Sequence, residues 1–381
     1  MKKLGIIGAS YLQLPLIEKA KNMGLETHVF AWQCGDVGEA AADYFYPISI
    51  VEKDEILSKC REIGINGICS IASDLAAITV NYVASKMELI GNSPECVAVS
   101  TNKHNMRMCF ERNGDPSPKS IQVSSVKDLE SVKLEYPVIV KPVDRSGSRG
   151  ITKLDSEQGL AEAIERAKAQ GFQKVALVEE FAEGSEYSVE CISWEGEHTM
   201  LAITKKFTTG APHFVETGHL EPAPLDHETY ERVRKVVYHA LDSLGVSYGA
   251  SHSELKISPA GVIRLIEIGG RMGGDFIGSA LVRESTGFDY VQAVILTALG
   301  IKPEIIKSKN RAAAVRFILS QADLLCLNRM KEEIPQLLIA SEAGDITDAE
   351  VDESAARFGY YIFCADRLEE LERFLPMEKG E

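Results

Sequence analysis

The stretch His252 to Gly274, HSELKISPAGVIRLIEIGGRMGG, decides the reading of this chain. It reads as two strands joined by a tight turn and followed by a glycine-rich bend, with Pro259, Ala260 and Gly261 as the turn signal. A two-residue loop of Ala260 and Gly261 pairs Pro259 with Val262 and, counting back along both strands, Glu254 with Glu267. Directly opposed side chains lie about 5 Å apart, and two like charges there destabilise a sheet unless something positive lies between them. A divalent cation suits the place, because hard ions such as Mg2+ take one or two protein carboxylates and leave their other positions to water and phosphate. Two solvated glutamates on an amphipathic hairpin are the rival reading. Glu267 weighs against it, since it interrupts the apolar run from Val262 to Ile268, where an unpaired charge is costly. A four-residue loop would make the pair diagonal without removing it.

Around this stretch the chain is ordinary for a globular protein. Its 381 residues predict two or three lobes, and 45% hydrophobic with 25% charged residues suits buried cores. The net charge of −15 argues against nonspecific nucleic-acid binding and against attraction to a membrane surface, while leaving room for local basic sites for phosphate. The eight cysteines form no C-x-x-C pair or metal spacing and sit mostly among apolar neighbours, as buried reduced thiols do. The apolar run after Lys2 and Lys3 ends too soon for a signal peptide, so a cytoplasmic location is expected.

The chain opens as a βαβ unit: strand 4–7, a turn at Gly8, a helix with Leu12, Leu16, Ala20 and Met23 on one face, and strand 27–32. Ser10 and Gln13 stand where a dinucleotide fingerprint needs glycine, which argues against NAD. Helices over 54–63 and 73–86 complete a first lobe ending near Pro94. Ser73 reads as a helix cap, with a substrate contact at the end of the preceding strand as the rival. A helix over 102–112 carries Lys103, and Pro116 and Pro118 mark a boundary. Then come a helix over 126–133, a strand 137–141 ending in Lys141, and the small-residue loop VDRSGSRG over 143–150. Asp155 and Gln158 have capping-box spacing ahead of an apolar stripe at Leu160, Ala163, Ile164 and Ala167. Strand 175–180 runs into a tight turn through Gly184. Residues 207–225 lack helical period and read as a long functional connection, and helix 228–244 leads into the hairpin. A buried helix over 290–299 follows, then strands 312–319 and 360–364 and a charged helix 367–374.

Four stations in this order resemble the ATP-grasp superfamily: Lys103 on a helix, Lys141 before a glycine/serine loop, the acidic strand VEEFAEGSE, and the two-carboxylate hairpin. The resemblance covers about 102–300 and implies an α/β ATP-grasp fold. It divides the chain into a Rossmann-like pre-ATP-grasp lobe at 1–95, an ATP-grasp domain at 96–301 with its ATP-binding part at about 115–186, and a small C-terminal lobe at 302–381. By the same resemblance Lys103 and Lys141 meet the α- and β-phosphates of ATP, and Ser146, Gly147 and Ser148 belong to a flap whose backbone closes over phosphate. Glu179 accepts from the adenine amino group, the backbone at Phe181 and Ala182 meets the adenine edge, and Glu186 binds the ribose. Glu254 and Glu267 match the metal ligands, for one or two Mg2+ with Mn2+ as a substitute. Arg271 matches the arginine that holds the reacting carboxylate. Many relatives read Glu-x-Asn-x-x-Arg with the asparagine as a further ligand, whereas this chain has Gly269 there, which leaves the metal count open. HFVETGH (213–219) and the run from Glu267 to Gly287 are similar to the carboxylate–amine ligase branch that includes bacterial L-amino acid ligases. In that branch an acid and a histidine at the spacing of Glu216 and His219 help form the amino-acid pocket.

The resemblance implies an enzyme that activates a small carboxylate as an acyl phosphate and joins it to an amine, a C–N bond-forming ligase with small-molecule partners and a homodimer among the assemblies it allows. A carboxylase-like enzyme using bicarbonate is the alternative within enzymes, and a nucleotide-binding regulator without turnover the alternative outside them.

Overall fold

The computed structural model describes residues 1–145, 147, 149–211, 214–347, 349 and 351–377. The N-terminal part is a parallel sheet of β1 (Lys3–Ile7), β2 (Glu26–Phe30), β3 (Tyr44–Tyr46) and β4 (Gly67–Cys69), ordered β3-β2-β1-β4. The apolar run of β1 is buried, as a parallel strand between helices requires. Ser10, Tyr11 and Leu12 after β1, and Ala72 after β4, border a large cavity, so ligand space lies at the carboxyl ends of these strands.

A second sheet, ordered β5-β8-β6-β7, holds β5 (Ser120–Val123), β6 (Val138–Pro142), β7 (Thr152–Leu154) and β8 (Ala176–Glu180). The helix Leu160–Gln170 packs its Leu160, Ala163, Ile164 and Ala167 stripe against Val138, Val140 and Val178 of this sheet. The third sheet has eight strands: β9 (Ser185–Trp194), β10 (Glu197–Thr208), β11 (Glu216–Glu221), β12 (Gly249–Ile257), β13 (Ile263–Gly269), β14 (Ala312–Ile318), β15 (Leu338–Ala343) and β16 (Gly359–Ala365). Their order is β13-β12-β9-β10-β11-β14-β16-β15, so the segment after residue 302 extends the same sheet that carries the hairpin. Helix His227–Leu244 backs the sheet through Val233, Val237, Ala240, Leu241 and Leu244. Helix Tyr290–Ala298 shares one apolar core with Leu4, Leu16 and Ile17 of the N-terminal lobe, which joins that lobe to the rest. Among the described residues no helix is long and apolar enough to cross a membrane.

The hairpin departs from its expected geometry in an instructive way. Its loop is three residues long, because Ser258 rather than Pro259 pairs with Val262 and Gly261 takes the left-handed conformation at φ +76°. That shift alone would put Glu254 opposite Ile266. Ile266 is instead left out of the ladder as a bulge, and its carbonyl accepts from Arg107 Nη2 at 2.6 Å. The bulge restores the register, and Glu254 faces Glu267 as expected.

Four local expectations are corrected. Residues 126–133 form only one 3-10 turn, Val126–Leu129, closed by Asp128 accepting from the Ser124 and Ser125 amides. Asp155 caps nothing, since the next helix starts at Leu160 after Gly159 at φ +83°, a conformation that a side-chain cap does not adopt. The connection 207–225 shrinks, because β10 runs on to Thr208 and β11 returns between β10 and β14. Ladder pairing on both sides outweighs its weak strand composition. Residues 367–374 are two 3-10 turns rather than a helix.

Gly184, in the turn between β8 and β9, lies tight against the end of β12. At φ +106° a Cβ there would sit 2.1 Å from the Ile257 carbonyl oxygen. Gly184→Ala is expected to cost at least about 2 kcal/mol, from the strained backbone and the clash together, read as a lower denaturant midpoint at unchanged slope.

Candidate active site

Between the two antiparallel sheets and the N-terminal lobe lies a cavity of about 510 Å3. Lys103, Lys141, Gly147, Glu179, Phe181, Ala182, Glu186, Glu216, His219, Glu254, Glu267 and Arg271 all line it. Ser146 and Ser148 lie outside the described residues. Ser73 does not line it: its hydroxyl accepts from the Ala76 amide at 3.2 Å and caps the helix Asp74–Lys86.

Strand register builds the floor. One row across the sheet runs Glu267, Glu254, Ser188, Thr204, and the next row on the same face runs Lys256, Glu186, Lys206, His219. Lys206 is the centre of this pattern. Its buried ammonium lies 2.6 Å from Glu254, 3.0 Å from Glu186 and 3.6 Å from Glu216. Burial alone would lower the lysine pKa, but the three carboxylates outweigh it and hold it well above its usual value. Burial would likewise raise the Glu254 carboxyl, yet Lys206 and His252 keep it well below the usual carboxylate range. His252 is itself clamped by the fully buried Glu190, which outweighs burial and raises the imidazole to about 9. Glu190 also accepts from the Gly273 amide at 3.0 Å. His219 is different: burial, then Lys206, pushes its pKa well below 6.5, so its ring is neutral. Among the described residues neither ring nitrogen has a hydrogen-bond partner. It sits on β11, not in the open loop that its glycine and proline neighbours suggested.

The opposite wall comes from the helix Lys103–Asn113 and the second sheet. Lys103 Nζ donates to Glu267 Oε1 and to the Arg145 carbonyl, both at 2.7 Å. One turn on, Arg107 Nε reaches Glu179 Oε2 at 3.2 Å, while the other Glu179 oxygen meets Lys141. Burial lowers the Lys141 pKa against the pull of Glu179, and the two cations hold Glu179 low despite its own burial. Phe181 lies under the ammonium groups of Lys153 and Lys256, 4.4 and 4.9 Å from its ring centre.

Glu254 and Glu267 suit a magnesium ion. They are opposed carboxylates at the cavity wall, Glu254 held ionised, each already facing a cation, Lys206 or Lys103. Among the described residues no group of three or more His, Cys, Asp and Glu could enclose a metal, so water and phosphate would have to complete the shell.

Known proteins share this fold. Residues 134–279 match the model of the ATP-grasp domain. The matched segment is an ATP-grasp domain. The fold of the chain is similar to the crystal structure of L-amino acid ligase from Bacillus licheniformis, with TM-score 0.83 at 24% identity over 98% of this chain and 96% of that one. It is also similar to the ADP complex of N5-carboxyaminoimidazole ribonucleotide synthetase, with TM-score 0.79 at 17% identity over 98% and 95%. Among curated relatives, alanine–anticapsin ligase from Bacillus subtilis is 29% identical over 275 residues, 63% of this chain and 58% of that protein. The chain thus spans less than two thirds of that relative's length.

Lys206, which lines this cavity, and Arg107 and Asp74, which pair with Glu179 and Arg271 at its wall, escaped the sequence reading. Arg107 had a usable signal, four residues beyond Lys103 on the same helix face. Lys206 and Asp74 had none, because each meets its partners only through the strand order or the packing of the lobes.

The charge pattern makes a pH-dependent prediction. Glu254 and Glu216 have depressed pKa values, so the stability they contribute is full above about 4.5 and is lost as pH falls below it. Lys206→Met is expected to cost about 3 kcal/mol at neutral pH by leaving buried carboxylates uncompensated. Melting curves of both proteins across acid pH should show the gap closing below about 4.5.

Proposed function

We propose that the chain is an ATP-dependent carboxylate–amine ligase: it phosphorylates a small carboxylate, an amino acid among the candidates, and joins the resulting acyl group to an amine with release of ADP and phosphate. The observation that carries this reading is that one cavity gathers an opposed carboxylate pair, two lysines and an arginine, Glu254, Glu267, Lys103, Lys141 and Arg271.

A carboxylate resists amines because its charge repels them and oxide does not leave. Attack of a carboxylate oxygen on the γ-phosphorus breaks the bond to the bridging oxygen, releases ADP and gives an acyl phosphate. An amine then adds to its carbonyl, phosphate departs and the amine loses a proton. Lys103 and Lys141 neutralise nucleotide phosphates, and Arg271 holds the acid through paired N–H donors. Glu254 and Glu267 are the residues that would hold Mg2+, which when bound would supply neutralisation of phosphate charge. His219, kept neutral by burial and by Lys206, lines the cavity without adding a charge that would repel an ammonium group.

Water would hydrolyse the acyl phosphate, so the cavity must close. Ser354 donates to Glu216 at 2.8 Å and Arg149 beside the flap pairs with Glu353 at 3.2 Å, so the segment before β16 bridges the flap and the floor. The C-terminal region thereby acquires a role in excluding water.

A phosphate-release assay over pairs of amino acids and amines tests the reading. Turnover that needs both partners supports it, bicarbonate-dependent ATP hydrolysis without an amine replaces it with a carboxylase, and nucleotide binding without any turnover sinks it. Glu267→Gln should lower turnover by about 10^2 to 10^3-fold with an unchanged far-ultraviolet dichroism spectrum. Near-normal turnover in that variant would defeat the metal assignment.

A further inference from the structure

Gly269 has no conformational need to be glycine, since its φ is not in the left-handed region, so its missing side chain must answer to space. A Cβ there would lie 2.7 Å from Asp74 Oδ1 and 3.2 Å from Arg271 Cζ and Nε. The space is occupied by an ion pair. Arg271 Nε donates to Asp74 Oδ1 at 2.7 Å and Nη2 to Asp74 Oδ2 at 2.9 Å, a two-pronged contact across 197 residues. Burial would raise the Asp74 carboxyl, but Arg271 outweighs it and keeps it ionised, and Asp74 opens a helix of 13 residues whose N-terminal dipole favours its charge.

The N-terminal lobe is fastened to this arginine at a second point. Ala72, at φ +59° and so in a conformation rare for a residue with a side chain, donates its amide to the Met272 carbonyl at 3.1 Å. The loop 72–74 therefore grips Arg271 by its side chain and its neighbour by the backbone. Because Asp74 takes the Nε–Nη2 side of the guanidinium, the pair left for a ligand is Nη1 with the outer face of Nη2. Nη1 has only a 3.4 Å contact with the Met272 carbonyl.

We propose that Asp74 is a positioning residue: from the N-terminal lobe it fixes the Arg271 guanidinium so that its two terminal nitrogens meet the substrate carboxylate, and Gly269 is bare to admit that pair. The inference rests on the reading of Arg271 as the carboxylate holder. Under it the site gives up a third side chain near the carboxylate pair in exchange for a rigid arginine, and the first lobe takes part in acid recognition without touching the acid.

The test uses the full chain with nitrogen-15 labelling and needs no substrate. The Nε–H signal of Arg271 is assigned by its loss in Arg271→Lys. Asp74→Asn should move that signal upfield and speed its solvent exchange about tenfold, as expected for loss of a charge-assisted bond. Gly269→Ala, which keeps both charges, should do the same by intrusion, and Asp74→Glu should restore part of the protection. An unchanged signal in Asp74→Asn or Gly269→Ala overturns the proposal. With an acid–amine pair from the phosphate-release screen, Asp74→Asn should raise KM for the acid about tenfold and leave KM for ATP unchanged. A lower KM for the acid would mean that Asp74 competes with substrate, and equal rises in both KM values would mean general damage; either result overturns it. Absence of turnover in the unmodified protein would count against the ligase reading alone, and the resonance measurements would still decide whether Asp74 and Gly269 fix the arginine.

Discussion

A single buried ammonium, that of Lys206, lets the central sheet carry its acids. Glu186, Glu216 and Glu254 point into one cavity from three different strands, and in a site shielded from water their mutual repulsion would open the sheet without a counter-charge among them. The same device repeats around the cavity. Lys103 faces Glu267, Lys141 and Arg107 flank Glu179, and Arg271 faces Asp74. The acids and bases stand in alternating contact, so a charged ligand would enter by exchanging partners rather than by meeting naked charge. Preorganised charge of this kind acts without reorganisation at the moment of reaction.

The hairpin shows what a sequence can and cannot disclose. The opposition of Glu254 and Glu267 was legible because strand pairing is arithmetic once a turn is located. The turn itself was placed one residue off, and a bulge at Ile266 cancelled the error. Nothing in the local sequence marks Ile266 as a bulge. Its cause is Arg107 on a distant helix, which takes its carbonyl. The helices with strong apolar periodicity, at 160–170 and 227–244, were readable for the opposite reason, since their burial is settled by their own spacing. The strand carrying His219 was hidden because glycine, histidine and acids are poor strand formers, and only its two neighbours in the sheet hold it extended.

Among the site residues, those belonging to a local pattern could be found and those defined by a meeting of lobes could not. Lys141 ends a strand before a small-residue loop, and Glu186 follows a tight turn; both are visible in one dimension. Asp74 looks like any acidic residue in a first helical turn, and only the packing of the helix 290–298 against the N-terminal sheet brings it to Arg271. Gly269 reads in sequence as a lost ligand. In three dimensions it is the clearance for that contact.

The strand order carries one more consequence. Because β14 lies directly against β11, the backbone that presents Glu216 and His219 is hydrogen-bonded on its far side by residues beyond 311. A fragment trimmed near residue 301 would leave that flank of β11 as an open template and uncover Phe207 and Leu220, whose apolar neighbours Ala314 and Ile318 would be gone. Such a fragment would recruit other strands and self-associate rather than serve as a minimal nucleotide-binding unit.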